Sequence, residues 1–293
     1  MIQSRSFTCG LTAALLLLSG CGEPDRDSPP PSPAIYELSS ADGAVEGWLL
    51  GTIHALPDGT QWQTPAIRSA VAAASGLVVE VADLDDRAVQ RRFAELAAAP
   101  GLPPIEQRLA ADARPALAVM VSDAGIDPGD LQRLETWAAA LALAQAVRHG
   151  ESANGVDRAV IAAFAGRPVR ELEGAELQLD LFDTLPEDEQ RDLLASVVHD
   201  YQRWGSNPAR LAQGWLAGDI ERLADPAQSA LLADPELRDI LLTRRNAAWA
   251  PRIAALLRRE PPLLIAVGAG HIGGADGLAA LLAAQGYTVK RMD

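Results

Sequence analysis

Lysine is almost missing from this chain. Of 25 basic residues only Lys290 is a lysine, and 39 Asp and Glu outweigh them, for a net charge of −14 over 293 residues. That balance, with no basic stripe, excludes a nucleic-acid partner. Cysteine is equally scarce: Cys9 and Cys21 cannot build a disulfide framework. Long apolar runs are absent beyond Cys21, so nothing after it reaches the ~20 residues a bilayer span needs. What is present is 48% hydrophobic residues, too many for a disordered, solvating chain. The length allows one large or two modest domains with a sizeable core.

The first twenty residues read as a removable leader. Arg5 supplies positive charge and Leu11 to Leu18 an apolar run too short to cross a membrane. The run ends in Leu18-Ser19-Gly20-Cys21, which matches the bacterial lipobox, so Cys21 is expected to become the lipidated first residue of the mature chain. Cys9 is discarded with residues 1–20. Residues 22–34 carry five prolines and four charges, a composition that cannot form a core. With Cys21 they form a linker, 21–34, reaching roughly 40 Å when extended at ~3.1 Å per residue. The expected domain is 35–293. Gly22, rather than Asp, follows Cys21, which favours the outer membrane with the domain facing the periplasm.

The body alternates between strand and helix signals. Glu46 to Ile53 and Leu77 to Ala82 are apolar strand patterns, with a helix from Pro65 to Ser75 between them, N-capped by Thr64. Helix periodicity then dominates, over 85–98, 136–149, 155–165, 187–204 and 235–259, the last expected to kink or split at Pro251. Pro168 to Leu172 is one strand among them. Leu263 to Val267 is a buried strand, 274–285 a helix and Tyr287 to Met292 a terminal strand. The two ends therefore repeat a βαβ-like unit. An α/β fold follows: a central mixed sheet built from the N- and C-terminal units, with a large helical insertion or cap.

Four histidines are present. His149 reads as the C-terminal residue of a helix and His199 as a solvated helical position. His54 and His271 differ, because each stands just past the carboxyl end of a strand, where open α/β sheets place reactive groups. Gly51 and Gly268 precede them by three residues and permit sharp turns or close approach. Glu80 is a carboxylate in an apolar strand, which demands a cation, a metal or a raised pKa, unless that strand is an edge facing water. Two His and one carboxylate can ligate Zn, Mn or Fe with positions open for water. The same trio can also act without metal as base, acid and orienting group.

These residues sit in a wider pattern. Trp48-Leu49-Leu50-Gly51-Thr52-Ile53-His54, Pro57, Val78-Val79-Glu80, Gly155-Val156-Asp157, Leu172-Glu173, Gln178, Arg245-Asn246, Trp249, Ala266-Val267-Gly268-Ala269-Gly270-His271 and Asp276-Gly277-Leu278 resemble the TraB/GumN family, grouped with PrgY and with Tiki-type membrane proteases. The resemblance covers most of 46–293. It implies a metal-dependent protease in which His54, His271 and Glu80 are metal or catalytic residues and Arg245 binds an anion or transition state, with Asp157, Asn246 and Glu173 in support. One departure stands out: members often carry an acid before the Arg-Asn pair, where this chain has Arg244. The wider superfamily includes EreA-like erythromycin esterases and haem-iron-binding ChaN-like lipoproteins, so fold alone does not settle chemistry.

The expectation is a lipid-anchored envelope hydrolase, membrane-tethered through Cys21, acting on a peptide or small-molecule substrate. Mn, Co or Zn would hold water between His54 and His271, with Glu80 as ligand or base and Arg245 at the oxyanion. Two alternatives stand beside it. One is a lipoprotein without catalysis that binds haem, a peptide signal or a polysaccharide-assembly partner. The other is a metal-free esterase-type hydrolase.

Overall fold

The apolar runs at the two ends of the chain become neighbours in one sheet. The computed structural model describes residues 29–84, 87–99, 101–260 and 262–292. The expected leader, Cys21 and residues 22–28 of the expected linker lie outside the described residues, as do Asp85 and Asp86 at the start of the expected 85–98 helix. Six strands form the sheet: β1 (Ile35–Ser39), β2 (Val45–Thr52), β3 (Gly76–Val79), β4 (Val169–Glu171), β5 (Leu263–Gly268) and β6 (Thr288–Arg291). Their order is β4-β3-β5-β2-β1-β6. The four strands β4, β3, β5 and β2 run parallel, and β1 is antiparallel to both β2 and β6. The sheet is mixed, as the sequence indicates.

The interleaving differs from two adjacent βαβ units. β5 inserts between β2 and β3, pairing Gly51 with Val267 on one side and Val79 with Ala266 on the other. The C-terminal β6 passes beyond β2 to pair with β1, a strand absent from the sequence reading. Nearly all of β2, β3 and β5 is buried, which suits parallel strands covered on both faces. The chain leaves β2 toward β3 and leaves β5 toward β6, in opposite directions along the sheet. In open α/β sheets, adjoining strand ends with connections that diverge in this way, here those of β2 and β5, are where reactive groups gather.

Two apolar cores match the division into sheet body and helical insertion. One joins the strands to the helices Pro65–Ala73, Val156–Ala163, Arg244–Arg259 and Leu278–Ala284. The other lies within the helical middle, around Trp137, Met120, Leu143 and Leu194. Trp137 is fully buried there, edge-on to Phe93 and stacked on Phe182. Arg108, also buried, satisfies the carbonyls of Pro103, Gln132 and Leu134 where loops meet this core.

Several local expectations shift. Thr64 does cap the first helix, its hydroxyl accepting from the Ile67 N–H. The helix Arg244–Arg259 runs unbroken through Pro251, whose exposed position leaves the carbonyl it cannot pair open to water. The irregularity comes earlier, as a widened π turn over Asp239–Thr243 directly before Arg245. The helix Thr136–Ala146 stops before His149, which lies exposed beyond it, while His199 is exposed on the helix Glu187–Trp204. Linker residues Pro33 and Ala34 are buried against the body, and the Ser32 N–H donates to the Leu216 carbonyl. Among the described residues no helix is long and apolar enough to cross a membrane.

Candidate active site

The strand β3 ends at Val79, so Glu80 is the first residue past it rather than a residue within it. Since β5 adjoins both β3 and β2, the ends of these three strands bring Glu80, His271 and His54 to one edge of the sheet. Gly268 closes β5, and a Cβ on it would stand 3.3 Å from Glu80 Oε1. Its missing side chain lets Glu80 Oε1 accept the Gly268 N–H at 2.7 Å. Gly51 likewise admits Ala269 and Ile272. These glycines thus make room for protein atoms.

Arg245 holds the buried half of the site. Its Nε donates to both Glu173 carboxylate oxygens at 2.9 and 3.2 Å, and Nη2 donates to Glu173 and to Glu80 Oε2, each at 2.9 Å. Nη1 donates to the Leu241 carbonyl at 2.9 Å and lies 3.1 Å from His271 Nε2. All five guanidinium N–H donors are thereby engaged. The guanidinium lies over the Trp249 ring at 4.6 Å, and the His271 ring packs on the same indole at a centroid separation of 4.6 Å. Arg245 is 10% exposed, so this is a desolvated cluster rather than a surface pair. Arg244, the departure from the family pattern, points away: it is 72% exposed and pairs with Asp239 at 2.6 Å.

His271 is buried, and Asn246 Oδ1 sits 2.7 Å from its Nδ1. Burial lowers the His271 pKa to about 4, despite the Glu80 charge. Burial would raise Glu80, but the neighbouring cationic groups, Arg245 among them, and the Gly268 N–H hold it below the usual carboxylate range.

His54 lives under opposite conditions. Its side chain is 73% exposed, yet Nδ1 lies 2.9 Å from Asp157 Oδ2. The other Asp157 oxygen accepts the Thr52 hydroxyl at 2.5 Å. The hydrogen bond with Asp157 raises the His54 pKa to about 9 against the opposing effect of desolvation, and the Glu80 charge adds to the rise. Asp157 arrives because Gly155 packs on the His54 backbone, where a Cβ would come within 2.6 Å of the His54 carbonyl oxygen. The Val156 N–H donates to the Ile53 carbonyl, which locks the start of that helix onto the loop.

Thr52 carries no signal in composition. It closes β2 two residues before His54, close enough along the chain for one carboxylate to serve both. Glu173 proves to be the bidentate partner of Arg245, a stronger role than mere support. Beside it a cavity of about 360 Å³ opens, lined by Asp83, Arg92, Glu171, Glu173, Glu176 and Leu177 among others. Its size suits a small ligand or a few residues of a peptide.

The signature residues thus converge from the two chain ends and from the helical middle between them, and a family model matches residues 34–291. The chain belongs to the TraB/PrgY/gumN family. No curated protein and no solved structure matches it. The match starts at Ala34, which is buried directly before β1.

Family resemblance implies a metal, and the donor set can be tested against one. His271 Nε2 faces the Arg245 guanidinium and both Glu80 oxygens accept hydrogen bonds, while His54, paired through Nδ1 to Asp157, keeps Nε2 available. Among the described residues no group of three or more His, Cys, Asp or Glu is disposed to hold an ion. As arranged, the TraB/PrgY/gumN signature residues do not fit a resident metal unless Arg245 is displaced.

Proposed function

We propose that this TraB/PrgY/gumN member is an envelope-anchored hydrolase that activates water on His54 and cleaves a carboxylic ester or amide, peptides included. One observation carries the reading: His54 is paired through Nδ1 to Asp157 while its ring is open to solvent beside a desolvated carboxylate–arginine cluster. In that pairing Nδ1–H donates to Asp157, leaving the Nε2 lone pair as the base. Nε2 takes a proton from water, the water oxygen adds to the carbonyl carbon, and the imidazolium returns the proton to the leaving oxygen or nitrogen. Asp157, oriented by Thr52, stabilises the imidazolium, and the Glu80 charge adds to that. The Arg245 donors are spent on Glu80, Glu173, His271 and Leu241, so Arg245 works here as the clamp of the site rather than as an oxyanion binder.

The lipobox supports tethering at Cys21, on the periplasmic side of the outer membrane, with the proline-rich linker as spacer. Metal dependence with Mn, Co or Zn is the competing reading and rests on the family resemblance. The experiment is hydrolysis of ester and amide panels by the full chain, with and without chelator. Turnover that survives chelator and is lost in His54→Ala supports the proposal. Turnover that vanishes with chelator and returns with Mn, Co or Zn transfers the site to the metal-dependent reading. Activity undiminished in His54→Ala overturns both. No turnover on any substrate leaves the binding-lipoprotein reading, which a haem titration followed by absorbance tests next.

A further inference from the structure

His54 and His271 each follow a glycine by three residues, but their surroundings assign them different work. Starting from the backbone, the Asp276 carbonyl accepts the Asn246 Nδ2–H at 2.9 Å. That contact fixes the amide orientation, since only the nitrogen end can donate to a carbonyl. Asn246 Oδ1 is then necessarily the atom facing His271 Nδ1 at 2.7 Å, and an oxygen acceptor there requires a proton on Nδ1. At the opposite side of the ring Arg245 Nη1 lies 3.1 Å from Nε2, and a guanidinium can only donate. Nε2 must therefore present its lone pair. The chain of bonds runs in one direction, from Arg245 through His271 and Asn246 to the Asp276 carbonyl. Asp276 is itself pinned, its side chain accepting from Arg238 at 2.7 Å and Thr243 at 2.8 Å. These last contacts tie the loop after β5 to the π turn that precedes Arg245.

We infer that His271 is a positioning residue: a neutral, Nδ1-protonated imidazole, set by Asn246, whose Nε2 lone pair holds the Arg245 guanidinium in register with Glu80 and Glu173. It is neither the base nor a metal ligand. An imidazole carrying its proton on Nε2 would set two donors face to face. An imidazolium would do the same and add a like charge beside Arg245. Asn246 thus excludes the wrong protonation pattern, as an outer hydrogen bond does for a metal-bound histidine, but the lone pair it directs is taken by an arginine. The inference concerns the state of His271 and stands apart from turnover, so its failure and that of the hydrolase reading are separable.

Long-range nitrogen–proton NMR of the full chain at neutral pH tests it. Three histidines, 54, 149 and 199, are exposed, so His54→Gln, His149→Gln and His199→Gln identify His271 by elimination without touching the core. The expected spectrum shows a protonated Nδ1 and an unprotonated, hydrogen-bonded Nε2, both unchanged by equimolar zinc. A proton on Nε2, or a zinc-induced shift of the Nε2 signal, overturns the inference. In Asn246→Leu the two tautomers should mix; a pure Nδ1–H state there removes Asn246 as the setting group. In Arg245→Met the Nε2 signal should move to the position of a free acceptor, and an unmoved signal refutes the contact with Arg245. The wild-type spectrum alone decides the tautomer if either core variant fails to fold.

Discussion

The loop after β2 and the loop after β5 share a motif and differ in nearly every physical respect. Each carries a glycine three residues before a histidine, at the carboxyl end of a parallel strand. His54 is exposed, paired with a carboxylate and pushed up to about 9. His271 is buried, hydrogen-bonded to an amide and pushed down to about 4. A short motif places a side chain at a sheet edge, while the partners that reach it from elsewhere decide its charge. Environments that drive two titratable groups apart are a recurrent mark of divided labour in active sites.

The sharpest way to break this comparison is to exchange losses. His54→Ala should reduce turnover by about 10²–10⁴-fold, the range expected for a general base, with the denaturation midpoint little moved above about pH 9, where the His54–Asp157 pair has lost its charge. If His54→Ala unfolds the chain, the two loops are not divided as described. Next is Arg245→Ala, which leaves Glu80 and Glu173 desolvated without their cation. A stability loss of about 3–5 kcal/mol in urea unfolding is expected, the usual cost of breaking a buried pair from one side.

Acid then separates the two histidines by sign. His271 binds its proton more weakly folded than unfolded. Its contribution is therefore intact above its ordinary value of 6.5 and eroded as pH falls toward about 4, by on the order of 3 kcal/mol in total. His54 behaves oppositely: its contribution is full below 6.5 and is lost as pH rises through about 9. Thermal melts across pH should show the acid limb flatten in His271→Gln and the alkaline limb flatten in His54→Gln. The pH–rate profile gives a finer version. Activity should climb with pH toward the His54 value, and Asp157→Asn should shift that limb to lower pH while reducing the plateau. A limb unmoved in Asp157→Asn would show that the pair does not set the base. The smallest effect belongs to Thr52→Val, which removes one hydrogen bond to Asp157; about 1 kcal/mol of stability is at stake, readable as a small midpoint shift.

Much of the site was legible in the residues. His54, His271 and Glu80 were singled out by their places at strand ends and by an unpaired carboxylate in an apolar run, and the sheet edge does collect all three. Asp157, Asn246 and Glu173 come only from family resemblance, because partners 25 to 103 residues away along the chain leave no periodic trace. The strand boundary at Val79 leaves no mark in the sequence because Val81 and Ala82 follow Glu80, so the apolar pattern continues past the last ladder bond. Pro251 misled for a related reason: proline disrupts a helix through an unpaired carbonyl, and exposure on the solvent face lets water supply the missing partner. β1 was overlooked since it sits against the proline-rich linker, where composition points to extended chain without a sheet to join.

What the sequence by itself determined is the set of elements and the kinds of groups at their ends. Apolar runs of strand length must be buried, and glycines at strand ends mark close approach. Only the tertiary structure decided the order of the strands, with β5 driven between β2 and β3, and so which carboxylate meets which histidine. The reason is physical. Burial and periodicity are properties of each segment, whereas the protonation state of a histidine depends on the few ångströms around it, and those are filled by residues drawn from the whole length of the chain.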